Sequence, residues 1–375
     1  MAIGRPGLVL TALLLAAGCG GGGELSGGDS AAGERPSGAP QPSVQAPSPV
    51  PEPAAPTPTR APAEDGSVLT AVTRASGALE LRSVSTGTRE AALVRSLAPP
   101  EDGARVVDVA TSGGQDPLVC ASWHTGPGEV HDDLETTLVC YASGAEDGRQ
   151  VTGVERPAQV ALSPDGRRIA WSLLTQGEQN PVVSTALLEG GAVSSVDRRR
   201  GYAEQPDDAF TGTDVQDLAW SDDRHLVVST SVQSDDGPEL VHVDVATPAD
   251  QGWLVDGRVV PVPEDEAGYV TYDSVQSADE RTALADLRGY AMDDTGPPDR
   301  AVHLDLVSGE VLAVVATVAE DRYLVSVSGT PDAAVYVTAA GESDDVRAYL
   351  RLRGEPRGTR LTGLPGDVED VLALG

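Results

Sequence analysis

Between residues 65 and 332 the chain repeatedly writes an acid-centred polar turn followed by an apolar strand-like run. The clearest copy is "LSPDGRRIAWSLL", with Asp165 and Gly166 between apolar flanks. The others are "EDGSVLTAV" at Asp65, "GQDPLVCASW" at Asp116, "SDDRHLVVST" at Asp223, "SADERTALADL" at Asp279 and "TPDAAVYVTA" at Asp332. Successive acids lie between 49 and 58 residues apart. A unit of that size cannot bury its own apolar face, so copies must stack against one another. Asp and Gly suit the turn for separate reasons. The carboxylate can accept a hydrogen bond from the backbone two residues on, and Gly takes positive φ without a clash. These acids are therefore expected to shape turns rather than to act as ligands or catalysts.

The remainder of each unit repeats as well. "LELRSVSTG" (79–87), "LVHVDVAT" (240–247) and "AVHLDLVSG" (301–309) each end a strand in a small turn opened by Asp or Ser. Apolar and polar residues alternate through these runs, as in half-buried sheet. Each unit reads as four strands, a to d, with the Asp turn joining a to b and the Ser/Thr/Gly turn joining c to d. The pattern begins at a strand b and ends in the lone strand of "GDVEDVLALG". That last strand can serve as strand a of the first unit, leaving no open edge. The expected fold over 65–375 is all-β, a six-bladed β-propeller of four-stranded antiparallel blades closed by the C-terminal strand. Seven shorter blades are the alternative.

The segment "RPAQVALSPDGRRIAW" (156–171) resembles the WD40-like (PD40) repeat of TolB-type propellers, whose core is a Ser-Pro-Asp-Gly turn entering a strand. "VQDLAWSDDRHLVV" is a degraded second copy. The resemblance implies the propeller and not an activity. TolB-type proteins carry an α/β domain before the propeller, whereas a Pro-rich stretch occupies that place here.

At the N-terminus, "MAIGRPGLVLTALLLAAGCG" has one Arg and an apolar run from Leu8 to Ala17. A bilayer span needs about 20 apolar residues, so the run reads as a secretory signal over 1–18. Its end, Leu15-Ala16-Ala17-Gly18-Cys19, is similar to the lipobox of bacterial lipoproteins, with Ala16 where that family usually has Leu. The resemblance implies cleavage before Cys19, lipidation of its thiol, and an extracytoplasmic protein held to the cell membrane by acyl chains alone. An ordinary signal peptide with release is the alternative. Residues 19–64 then form a tether. Residues 20–35 are rich in Gly and Ser, and ten prolines fall within 36–62. So little apolar surface cannot offset ordering entropy. Ser and Thr beside Pro are candidate O-glycosylation sites.

Cysteine usage agrees with export. Cys120 and Cys140 sit in the apolar runs "PLVCASW" and "TTLVCYAS", separated by a polar loop. On neighbouring antiparallel strands they can face each other and form a disulfide outside the cytoplasm. Two buried free thiols are the alternative.

The chain carries 58 acids against 26 bases, all of them Arg, for a net charge of −32. Such a chain should be repelled by nucleic acid and anionic lipid, and should suit cations or basic partners. In the four-strand reading, the a–b and c–d turns share one face and are short. The b–c and d–a connections share the other and are long, the usual place for recognition. Four b–c loops contain an acid pair: Asp132-Asp133, Asp235-Asp236, Asp293-Asp294 and Asp344-Asp345. Converging around a rim, they could hold a divalent cation or a basic segment. The alternative is turn-forming, solubilising Asp. Arg198-Arg199-Arg200 could hold an anion, or pair with nearby acids. His124, His131 and Asp132 share a loop with metal-ligand chemistry but fit no ligand spacing. His242 and His303 occupy equivalent strand-c positions and read as repeat features. No Gly-x-Ser-x-Gly, His-Glu-x-x-His or phosphate-binding Gly loop occurs. The functional expectation is a monomeric module that binds a protein or cell-envelope ligand through the long-loop face, without a required cofactor. A propeller hydrolase or lactonase with a metal in the central channel is the alternative.

Overall fold

The computed structural model describes residues 66–112, 117–126, 135–173, 181–202, 214–231, 239–247, 250–261, 269–277, 280–290, 298–319, 321–330, 332–340 and 345–374. All belong to one compact unit, Arg60–Gly375. Cys19, the signal and the tether lie outside the described residues.

The strands form six four-stranded antiparallel sheets. Blade 1 holds β1 (Ser67–Arg74), β2 (Leu79–Ser85) and β3 (Ala91–Leu97). Blade 2 holds β4 (Arg105–Thr111), β5 (Val119–His124), β6 (Thr136–Tyr141) and β7 (Arg149–Gln150). Blade 3 holds β8 (Pro157–Leu162), β9 (Arg168–Leu173), β10 (Val182–Glu189) and β11 (Ala192–Arg200). Blade 4 holds β12 (Asp214–Trp220), β13 (His225–Ser231), β14 (Glu239–Asp244) and β15 (Arg258–Val260), with one helical turn, α1 (Trp253–Asp256), before β15. Blade 5 holds β16 (Tyr269–Ser277), β17 (Thr282–Tyr290), β18 (Arg300–Asp305) and β19 (Val311–Thr317). Blade 6 holds β20 (Arg322–Thr330), β21 (Ala333–Ala340), β22 (Val346–Leu352) and β23 (Thr359–Arg360). The last strand, β24 (Val368–Leu374), returns to blade 1 as its fourth strand and pairs with β1 from Leu69↔Leu374 to Arg74↔Val368. The ring thus has six blades, not seven, and its closure is the expected one.

The core is distributed. A buried apolar cluster lies at each of the six blade–blade contacts, so every blade completes the core of its two neighbours. Burial follows position within the blade. Every residue of β5, a second strand, is buried, while β11, an outer strand, is mostly exposed. Cys120 lies directly opposite Cys140 across β5 and β6, and the two form a disulfide.

Of the expected turn acids, Asp65, Asp116 and Asp279 lie outside the described residues, and one c–d connection, 245–257 in blade 4, is long rather than short because it carries α1. Asp165 accepts from the Arg167 amide (2.9 Å) and the Ser163 hydroxyl (2.7 Å), and Gly166 takes φ 70° beside it. In blade 4 the acid that caps the turn is Asp222 rather than Asp223. It accepts from the amides of Arg224 and His225, both at 2.6 Å, because this turn is tighter. Asp332 pairs with Arg353 at 2.8 Å. In the c–d turns Asp244 accepts from the Ala246 amide and Asp305 from the Val307 and Ser308 amides. Arg224 donates to Asp244 and Arg281 to Asp305, so an a–b turn is stapled to the c–d turn beside it.

Candidate functional site: the channel and the two faces

The six inner strands are β24, β4, β8, β12, β16 and β20, and each breaks register with its neighbour, most of them within the first half of the strand. A bulge re-aims the side chains that follow it. At these irregularities, three of the six strands carry an Asp: Asp108 on β4, Asp217 on β12 and Asp370 on β24. All three line a central cavity of about 300 Å³. The cavity is walled by all six inner strands and extends from these carboxyls to Ser112, Pro164 and Thr330 at the a–b turns.

Each Asp does a defined structural job. One oxygen of Asp108 accepts from its own neighbour, the Val109 amide (2.8 Å), and the other from the Val160 amide of blade 3 (2.7 Å). Asp217 repeats this with the Leu218 amide (2.7 Å) and the Val275 amide of blade 5 (2.9 Å). Asp370 accepts from the Val371 amide (2.7 Å) and from the Ser326 hydroxyl of blade 6 (2.5 Å). The acids thereby join blade 2 to 3, 4 to 5 and 1 to 6. Other polar ties add to the same inner circle: the Trp220 indole donates to the Ala161 carbonyl, and the Ser122 hydroxyl to the Ala158 carbonyl.

Each carboxyl shows part of its surface to the cavity, while protein encloses it on the other sides. Burial therefore opposes ionisation. It pushes Asp108 up to about 7 against the pull of the Val160 and Val109 amides, and the Asp370 charge pushes the same way. Asp217 is raised well above the usual carboxylate range by burial, then by the Asp108 charge. Asp370 is raised by burial, against the Ser326 and Val371 hydrogen bonds.

The acid pairs expected at the rim fare differently. Asp132, Asp133, Asp235, Asp236, Asp293, Asp294 and Asp344 lie outside the described residues, as does His131. Asp345 is described. It pairs with Arg347 (2.5 Å) and Arg322 (3.0 Å), and the Arg347 hydrogen bond holds its carboxyl below the ordinary range. His124 is the last residue of β5, a buried strand residue rather than a loop ligand. The arginine run ends β11. Arg198 pairs with Glu155 (2.7 Å), and Arg199 pairs with Asp197 (2.7 Å) and donates to the Thr247 carbonyl of blade 4. His242 and His303 do occupy matching places, on β14 and β18. Among the described residues no three His, Cys, Asp or Glu side chains converge as a metal site.

The channel acids were not singled out from sequence, although a signal was present. "VVDVATS", "VQDLAWS" and "VEDVLAL" each set an acid inside an otherwise apolar strand, at the same place in the unit. The turn acids a few residues away carried the eye-catching repeat.

No family model matches the chain, and no curated protein matches it in sequence. Solved structures do match in fold. A putative TolB from Agrobacterium tumefaciens is 14% identical with a TM-score of 0.47, over 80% of this chain and 89% of that one. The β-propeller domain of the trilobed protease from Pyrococcus furiosus is 15% identical with a TM-score of 0.41, over 67% and 83%. Prolyl oligopeptidase B from Galerina marginata is 12% identical with a TM-score of 0.43; the match takes in 81% of this chain but only 42% of that enzyme.

Proposed function

We propose that the protein is a lipid-anchored, extracytoplasmic β-propeller that binds a protein or cell-envelope ligand through the face bearing the b–c and d–a connections. The observation that carries this reading is the division of the ring into two unlike faces. On the turn face Asp165, Asp222, Asp244 and Asp305 are spent internally, on turn amides and on the arginine staples. Two long connections belong to the opposite strand ends, 125–135 between β5 and β6 within blade 2 and 201–213 between blades 3 and 4, while on the turn face only the 245–257 connection of blade 4 reaches that length. Chain length that a rigid scaffold does not need for closure is where recognition is built. The Cys19 signal and the Cys120–Cys140 disulfide both suit a compartment outside the cytoplasm.

A metal-dependent hydrolase working in the channel has less support. The three channel acids already use oxygens to hold backbone amides of the neighbouring blades or a serine hydroxyl. Bound metal would be sought in the purified protein before and after chelation, and a stoichiometric cation would revive that reading.

The direct test is crosslinking in cells, with mass spectrometry of what co-purifies. The parent would be compared with a variant in which Asp235, Asp236, Asp293 and Asp294 become Asn. We expect a partner caught by the parent and weakened in the variant. A partner lost on changing Asp165 and Asp222 at the turn face, yet kept when the long connections are altered, would place recognition on the wrong side for this proposal.

A further inference from the structure

We propose that Asp108, Asp217 and Asp370 form a proton-dependent clasp at the hub of the ring, which is strained by the repulsion of three like charges in one cavity when these carboxyls ionise and relieved of it when they take up protons. The geometry has three parts. The carboxyls line one cavity of about 300 Å³. They tie three of the six blade junctions through hydrogen bonds to Val160, Val275 and Ser326. No basic side chain lines the cavity among the described residues.

The charged groups around the clasp do not neutralise it. On the inner strands, Arg105 is exposed at the start of β4, and Arg322 at the start of β20 is engaged by Asp345 and Thr338. Glu369 on β24 adds negative charge next to Asp370. Asp214 and Asp273 stand on β12 and β16 in sequence, but their side chains are outside what is described. On the second strands behind, Arg74 is committed to Glu80 and Asp367, and His225 to Asp222. His124 and Asp286 are buried within their own blades, and Arg168 stands at the turn end of β9. The Arg288 side chain is likewise outside what is described.

Three like charges in one poorly solvated space cannot all ionise without cost. In an unfolded chain the same groups titrate near about 3.9. In the ring they are raised, with Asp108 at about 7. Between those values the folded state holds more protons than the unfolded one. Stability contributed by the clasp is therefore present at mildly acidic pH and lost as pH rises through the folded-state values.

The test uses the full chain in detergent. Its thermal midpoint would be followed from pH 5.5 to 8.5, beside Asp108→Asn, Asp217→Asn, Asp370→Asn and an Asp345→Asn surface control. The parent midpoint is expected to fall by on the order of 3 °C more than that of each clasp variant, while the control follows the parent. Because an Asn amide cannot accept at both positions, a clasp variant could fail to fold. Infrared titration of the parent covers that case, with a protonated carboxyl band that persists above pH 6 and disappears near pH 7 to 8. Equal pH slopes in parent and folded variants would overturn the clasp. So would an infrared titration complete below pH 5.

Discussion

Two populations of aspartate occur in this ring, and their environments give them opposite pH dependence. The turn acids receive amide and guanidinium hydrogen bonds, which outweigh burial even at Asp305, where little of the side chain reaches solvent. The amide and hydroxyl of Ser308, the Arg281 guanidinium and the Val307 amide hold the Asp305 carboxyl well below the ordinary range. Arg224 does the same for Asp244. A depressed carboxyl contributes stability above its unfolded value, and that contribution is lost as pH falls toward the folded one. Asp305→Asn is accordingly expected to lower the thermal midpoint at pH 7, and the gap from the parent should narrow below about pH 4. A constant gap down to pH 2.5 would mean that the residue acts through shape and not charge. The residue scale also shows what a single sequence conceals. Turn acids announce themselves because Asp beside Gly, Ser or Pro has a local reason to be there. Channel acids have a long-range reason: Asp108 reaches Val160 in the next blade, and nothing in "VVDVATS" shows that an amide of "AQVALS" will arrive beside it.

Strands and turns were the most legible level, since their causes are local. Alternation, turn chemistry and repeat length together placed the a–b turn at Asp165, the c–d turns at Asp244 and Asp305, and the pairing of Cys120 with Cys140. The slip from Asp223 to Asp222 has a physical origin, because one turn residue fewer moves the capping position and a run of two acids cannot report which is used. The disulfide offers a test at this scale. It clips β5 to β6 across a sequence separation of 20 and should add about 3 kcal/mol by restricting the unfolded chain. Cys120→Ala with Cys140→Ala is expected to lower the unfolding free energy from denaturant titration by that amount, and the midpoint with it, slightly more if the emptied space at two buried positions does not collapse. A midpoint within error of the parent would mean that the β5–β6 ladder and the inter-blade packing already hold the blade. Of the expected rim acids, the described Asp345 is held by two arginines.

A ring has one place where the chain ends must do what a covalent connection does elsewhere, and here it is blade 1. Val371 and Ala373 of β24 are buried between blades 1 and 6, and Arg74 on β1 grips Asp367 just before β24 begins. The approach to that strand is held too: the Thr362 amide donates to the Arg89 carbonyl, and Arg82 donates to the Gly363 carbonyl. Asp370 then brings the closing strand into the channel's hydrogen bonds with blade 6. Removing residues 368–375 should therefore do more than delete a strand. It would expose the β1 edge from Leu69 to Arg74 and uncover the apolar cluster shared by blades 1 and 6. Loss of Val371, Leu372 and Leu374 burial alone costs on the order of 5 kcal/mol, a large part of the stability of a single domain. The truncated chain is expected to lose its single cooperative transition and to self-associate through the open edge, as read by calorimetry and light scattering. Arg74→Ala should fall between parent and truncation, remaining a monomer with a lowered midpoint. If the truncated chain stayed monomeric and melted with the parent, the six inter-blade clusters would be sufficient without closure, and the grip of Arg74 on Asp367 would count for little.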